Sequence, residues 1–323
     1  MQVVLNVALL VVGFVLLMKG ADFFVENASK IASKSGIPAI IIGLTIVAFG
    51  TSAPEAAISI TAGVKGSASL AVSNVTGSNI MNVLLILGIS SLITALNVQK
   101  NTLKYEIPFV IIISTMLLIF GITGNKISRI EGIIFWVCLI LFFVYLFRLA
   151  KSGEAVADDV EELTEKDTYP RMIAWLLIGG VAIVVGSNLT VDSAKFIASM
   201  LGMDDRLIGL TVVAFGTSLP ELITSITAAR KHKADIAVGN IVGSNICNIL
   251  FVLGTTAIIT PIDYIRSNIL DNVMAILVMV VLLLGAWKDK KLAKVEGTVM
   301  IVLFVIYYTY VILNAYKMIP ALF

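Results

Sequence analysis

Histidine, cysteine and charge are all scarce in this chain. Its 323 residues include one histidine and two cysteines. Only 14% are charged, against about 25% in a soluble domain. The single histidine, His232, sits beside Lys231 and Lys233 and reads as a surface residue, which argues against histidine-based catalysis or metal ligation. Cys138 and Cys247 both lie inside apolar runs, form no disulfide framework and match no zinc spacing, so each reads as a small buried hydrophobe. A net charge of +2 gives no basic surface for nucleic acid. The first apolar run has neither a basic segment before it nor a small-residue cleavage site after it. It reads as a retained span and not a signal peptide.

What is abundant is apolar sequence: 59% of the chain is hydrophobic. A bilayer core of about 30 Å needs about 20 apolar residues in a helix. Ten stretches meet or approach that length: 3–18, 37–64, 70–96, 107–122, 130–147, 172–189, 207–229, 236–262, 269–287 and 295–313. The chain is therefore read as an all-α integral membrane protein. The longest polar stretch, 148–171, is rich in acids but lacks the spacing of a calcium loop and reads as a solvated linker. With ten spans, loops after the odd-numbered ones carry 16 lysines and arginines, and the other side carries 7. The positive-inside rule then puts the linker in the cytoplasm and both termini outside the cell, in a multi-pass plasma-membrane protein.

The strongest signal is internal repetition. Residues 42–88 and 208–254 align at an offset of 166 without a gap, with 29 of 47 positions identical. The chain divides into a first five-helix repeat (1–150), a linker (151–171) and a second repeat (172–323). Because five is odd, the second copy enters the membrane upside down. Two inverted repeats are the architecture of many secondary transporters, with the binding site at the midplane between them.

Each repeat carries two polar motifs inside apolar spans. The GTSxPE motif occupies 50–55 and 216–221, and GSNIxN occupies 77–82 and 243–248. Glu55 and Glu221 are read as the ionisable residues deep inside spans. A charge there costs about 3 kcal/mol or more, so it needs a counter-charge. No lysine or arginine lies at matching depth, so the partner must come from solution. Pro54 and Pro220 remove an N–H and clash with the carbonyls of Gly50 and Gly216, so helices 2 and 7 should be discontinuous there. Carbonyls freed at Gly50, Thr51, Gly216 and Thr217 must line a polar cavity, where a cation suits them. Ser78 and Asn82 share a helix face, as do Ser244 and Asn248, and Thr51 shares one with Glu55. Asn79 and Asn245 are offset from that face and are assigned to interhelical hydrogen bonding. Every candidate ligand is oxygen, which suits hard cations such as Ca²⁺.

The doubled motifs resemble the alpha-repeats of the calcium/cation antiporter superfamily, in its prokaryotic sodium/calcium exchanger branch. The resemblance covers essentially the whole chain. It implies that Glu55 and Glu221 hold Ca²⁺, with backbone carbonyls of Thr51 and Thr217. It further implies that Ser52, Ser78, Ser218 and Ser244, with carbonyls of Ala48 and Ala214, complete flanking Na⁺ sites. Asn82 and Asn248 would occupy the centre as an ion or water site. Some members carry Asp where this chain has Asn248, which bears on K⁺ dependence. The implied activity is secondary Na⁺/Ca²⁺ antiport, electrogenic and K⁺-independent. It needs no cofactor and no obligate protein partner beyond membrane lipid. An H⁺/Ca²⁺ antiporter and a K⁺-dependent exchanger stay open as alternatives. An intramembrane hydrolase would lack a base at depth, and a channel would bind too tightly for fast conduction.

Overall fold

The computed structural model describes residues 2–65, 68–152, 163–202, 214–316 and 318. These residues are nearly all helical. In chain order they form α1 (Gln2–Ser35), α2 (Ala39–Thr51), α3 (Ala53–Val64), α4 (Leu70–Ile93), α5 (Thr102–Gly124) and α6 (Arg129–Ser152). The second half contributes α7 (Tyr169–Met200), α8 (Ala214–Thr217), α9 (Leu219–Arg230), α10 (Ala234–Ile259), α11 (Arg266–Trp287) and α12 (Lys294–Ala315). Among the described residues, eight helices are long and apolar enough to cross a membrane, and the bent pair α2–α3 makes a ninth. The expected span 207–229 begins outside the described residues; its described part is α8 and α9. The acids of the linker from 153 to 162 also lie outside them.

Four two-residue strands tie the halves together. β1 (Leu96–Asn97) pairs antiparallel with β4 (Lys291–Leu292), and β2 (Lys126–Ile127) with β3 (Ile262–Asp263). β1 and β2 flank opposite ends of α5. The offset of 166 makes β3 the counterpart of β1, yet β3 sits at the β2 end. Equivalent loops of the two halves therefore lie at opposite ends of the bundle, as an upside-down second copy requires.

α4 and α10 form the centre. The most apolar stretch of α10 is 94% buried, against 17% for α1. α6 packs on the C-terminal part of α10, and α12 on that of α4, so each half covers the other's central helix. α10 approaches α2 closely through glycines. A Cβ at Gly243 would lie 2.6 Å from the Leu44 carbonyl, and one at Gly239 would lie 2.8 Å from the Ile40 carbonyl. α1 and α7 pack on each other through Gly13, Gly20, Gly179 and Gly186, which are again pairs at the offset of 166.

Two helices outrun the hydropathy reading. The first and sixth spans end at 18 and 189 by sequence, where charges begin, but the helices continue to Ser35 and Met200. Charge alone does not stop a helix when it can pair or face water: Lys30 lies 2.9 Å from Glu26 one turn away. Both helices stop at glycines in the left-handed region, Gly36 (φ 61°) and Gly202 (φ 82°). Lys19, Lys30, Lys34 and Lys195, counted as loop residues from sequence, are helical.

Candidate cation site

The two breaks fall where proline and glycine predict them. Ser52 (φ −79°, ψ 7°) separates α2 from α3, and Ser218 (φ −89°, ψ 6°) separates α8 from α9. α2 and α3 meet at 51°. Each break starts a new helix with proline at its second position and glutamate at its third. Glu55 and Glu221 thus lie in the first turn, where the helix dipole favours a carboxylate.

Ser52 to Glu55 and Ser218 to Glu221 also have the spacing of a capping box. Neither serine caps its own helix. Ser52 Oγ instead donates to Glu221 Oε1 at 2.9 Å, across to the other half. Ser78 Oγ lies 3.5 Å from Glu55 Oε1 and 3.2 Å from Ser218 Oγ. Local capping is given up for a network that joins both breaks to α4.

All of these side chains are buried. Glu55, Glu221, Asn82 and Asn248 have no exposed surface. Glu55 Oε2, Glu221 Oε2, Asn82 Oδ1 and Asn248 Oδ1 have no hydrogen-bond partner, and neither does Ser244 Oγ. Four buried acceptors without a donor are costly. Among the described residues no lysine, arginine or histidine pairs with either glutamate. Among the described residues no third acidic, histidine or cysteine side chain joins them in a group that could hold a metal ion. Two carboxylates and two amide oxygens are thus buried without a full set of donors, and oxygens of this kind suit a desolvated hard cation.

The remaining predicted residues fall around this cluster. Thr51 is buried, and its hydroxyl donates to Asn240 Oδ1 at 2.9 Å. Thr217 is nearly buried. The Ala48 carbonyl accepts the Ser52 N–H at 3.0 Å and lies 3.3 Å from Thr51 Oγ1. Ala214 is the first residue of α8. Gly216 O accepts from Ser187 Oγ on α7 at 3.1 Å, which leaves it one lone pair. Asn82 and Asn248 each begin a π-helical turn, Asn82–Leu87 and Asn248–Leu253, a distortion common at functional sites.

A family model for sodium/calcium exchanger protein matches residues 5–149 and 171–313, one match in each half. The chain belongs to the sodium/calcium exchanger family. It is a multi-pass membrane transporter and not an enzyme, and the family's activity is cation/Ca²⁺ antiport. Inner membrane protein YrbG of Escherichia coli is 37% identical over 88% of this chain and 89% of its own length. Sodium/calcium exchanger MaX1 of Methanosarcina acetivorans is 31% identical over 94% and 97% respectively. The structure of the sodium-calcium exchanger NCX_Mj soaked without Na⁺ and Ca²⁺ superposes with a TM-score of 0.83, at 32% identity over 96% of this exchanger and 99% of that chain.

Some polar residues of this exchanger were not singled out from sequence. Asn240 Nδ2 donates to Ser225 Oγ at 2.9 Å, and Asn74 Nδ2 to Ser59 Oγ at 3.0 Å. These are the same pair at the offset of 166, and their identity within the repeated blocks was the available signal. Glu106, near the start of α5 and just before the expected span, is also buried, 1% exposed, and accepts from Tyr145 Oη. Asp271 in α11 likewise accepts from Tyr307 Oη at 2.7 Å. Each has a tyrosine donor within the same half, whereas the donors at Glu55 and Glu221 are the serines Ser78 and Ser52.

Proposed function

We propose that this antiporter exchanges Na⁺ for Ca²⁺ by alternating access, electrogenically and without K⁺. The observation that carries the reading is the set of four buried, unpartnered oxygens on Glu55, Glu221, Asn82 and Asn248. In this reading Glu55 and Glu221 hold Ca²⁺ with the carbonyls of Thr51 and Thr217. Ser52, Ser78, Ser218 and Ser244, with the carbonyls of Ala48 and Ala214, take flanking Na⁺. Asn82 and Asn248 hold a central ion or water. The names of MaX1 and NCX_Mj, sodium/calcium exchangers both, support Na⁺ as the coupling ion.

The charge count supports obligate exchange. An empty site strands two negative charges when it closes, at several kcal/mol each. One Ca²⁺ cancels them, and so do Na⁺ ions, so closure is accessible only when the site is loaded. The hydroxyls and carbonyls beside the carboxylates give room for more than two Na⁺, which makes exchange electrogenic. The chain's two five-helix repeats, 1–150 and 172–323, supply one half-site each. The 151–171 linker lies in the cytoplasm, and the termini lie outside the plasma membrane.

The test is Ca²⁺ flux into proteoliposomes under an imposed Na⁺ gradient, repeated with a pH gradient and with K⁺ replaced by choline. Flux driven by Na⁺ and unaffected by choline is expected. Flux driven by the pH gradient alone would make this an H⁺/Ca²⁺ antiporter, and collapse without K⁺ would make it K⁺-dependent.

A further inference from the structure

The amide of an asparagine is nearly isosteric end for end. Asn82 and Asn248 can face a cation with an oxygen, which attracts it, or with an NH₂, which repels it. Something must choose between the two. Asn248 Nδ2 donates to Asn79 Oδ1 at 3.0 Å, and Asn82 Nδ2 donates to Asn245 Oδ1 at 3.0 Å. Asn79 and Asn245 are in turn oriented by groups that cannot rotate. Asn79 Nδ2 points at the main-chain carbonyl of Asn245 at 3.4 Å, and Asn245 Nδ2 at that of Asn79 at 3.4 Å.

A carbonyl oxygen can only accept. It therefore fixes which end of Asn79 is the donor. The other end, Oδ1, must then accept from Asn248, whose own oxygen is left facing away and unpartnered. The same logic runs from the Asn79 carbonyl through Asn245 to Asn82. All four asparagines are buried.

We infer that Asn79 and Asn245 are positioning residues that turn the amide oxygens of Asn82 and Asn248 toward the transported ion. This goes beyond interhelical packing and rests on the reading that Asn82 and Asn248 serve the ion site. A carboxylate at 248 would have no N–H to give Asn79 Oδ1, so this contact would be lost. A carboxylate, however, has two equivalent oxygens and needs no orientation.

The test uses that equivalence. Full-length Asn79→Leu, Asn248→Asp and the double variant are reconstituted. Half-saturating Na⁺ and Ca²⁺ and the maximal flux are measured for each, with thermal unfolding as a check on folding. Asn79→Leu alone is expected to raise half-saturation at least tenfold for at least one ion, with maximal flux within twofold. In the Asn248→Asp background the same change should shift neither ion by more than threefold. An equal penalty in both backgrounds would reduce Asn79 to packing, and no penalty in either would remove its role; both overturn the inference. If Asn79→Leu does not fold, Asn245→Leu with Asn82→Asp poses the same question across the pseudo-symmetry. Asn248→Ala separates the underlying reading: unchanged half-saturation for both ions would show that residue 248 does not serve the site at all.

Discussion

Replacing Glu221 by glutamine removes one unit of charge and little else. The shape is kept, and Gln Oε1 can still accept from Ser52 Oγ, now 2.9 Å from Glu221 Oε1. What changes is the balance at a site with no exposed surface and no described cationic partner. Two unit charges about 4 Å apart at an effective dielectric of about 20 interact with about 4 kcal/mol. Ca²⁺ carries two charges, so the lost attraction is about twice that. Cheaper desolvation of a neutral side chain returns part of it. A net loss of about 4 kcal/mol is about a thousandfold in affinity. The ion-free variant should at the same time be no less stable than the parent, because one stranded charge is gone. Two assays separate these effects. Thermal unfolding in detergent should rise with Ca²⁺ for the parent, by about 2.7 kcal/mol at a hundred times Kd, and stay flat for Glu221→Gln. Ca²⁺ flux in proteoliposomes should fall to background, and Glu55→Gln should behave alike. A variant that keeps a tenth of parental flux, or still gains stability from Ca²⁺ at parental concentrations, would refute the assignment of both glutamates to the ion.

Gly243→Ala would put a Cβ 2.6 Å from the Leu44 carbonyl and 2.7 Å from Ala48 Cβ. It should cost about 1–3 kcal/mol in thermal unfolding. Gly285→Ala, whose nearest contact is Glu296 Cγ at 3.5 Å, should cost nothing; equal effects would contradict the close α2–α10 approach. Asp167 closes the linker onto α1: it accepts the Thr164 N–H at 2.8 Å and hydroxyl at 2.7 Å, and pairs with Lys30 at 3.2 Å. The Thr164 N–H, then its hydroxyl, then Lys30 hold this carboxyl at about 2, below its usual value. A depressed carboxyl contributes stability that is present above its unfolded pKa and lost as pH falls through the folded one. Protease resistance of residues 164–171 should therefore be level from pH 8 to about 4 and decline only below that; Asp167→Asn should lower it throughout, and a loss already at pH 5 would exclude this contact. Finally, reversing the membrane potential should change Na⁺-driven Ca²⁺ flux, and indifference to voltage would mean electroneutral exchange.

Much of this was legible without coordinates. The repeat at an offset of 166 and the glutamates beside Pro54 and Pro220 are properties of the chain read along its length. Proline and glycine act on their own backbone, so the breaks at Ser52 and Ser218 followed directly from the residues there. Hydropathy located the spans but missed the ends of α1 and α7. It registers the first charge, whereas a helix ends where the backbone turns left-handed, at Gly36 and Gly202.

Tertiary structure decided the direction of each hydrogen bond. Ser52 could have capped its own helix but bonds Glu221, 169 residues away. The carbonyl of Gly216 accepts from Ser187 on α7, and buried Glu106 accepts from Tyr145 on a neighbouring helix. Asn79 and Asn82 look alike as residues, yet Asn79 Nδ2 points at the main-chain carbonyl of Asn245 and Asn82 Nδ2 donates to its side-chain Oδ1. Which end of an amide or which lone pair is used depends on what a distant element presents at about 3 Å. That is set by how α4 and α10 cross, which no local pattern in either helix encodes.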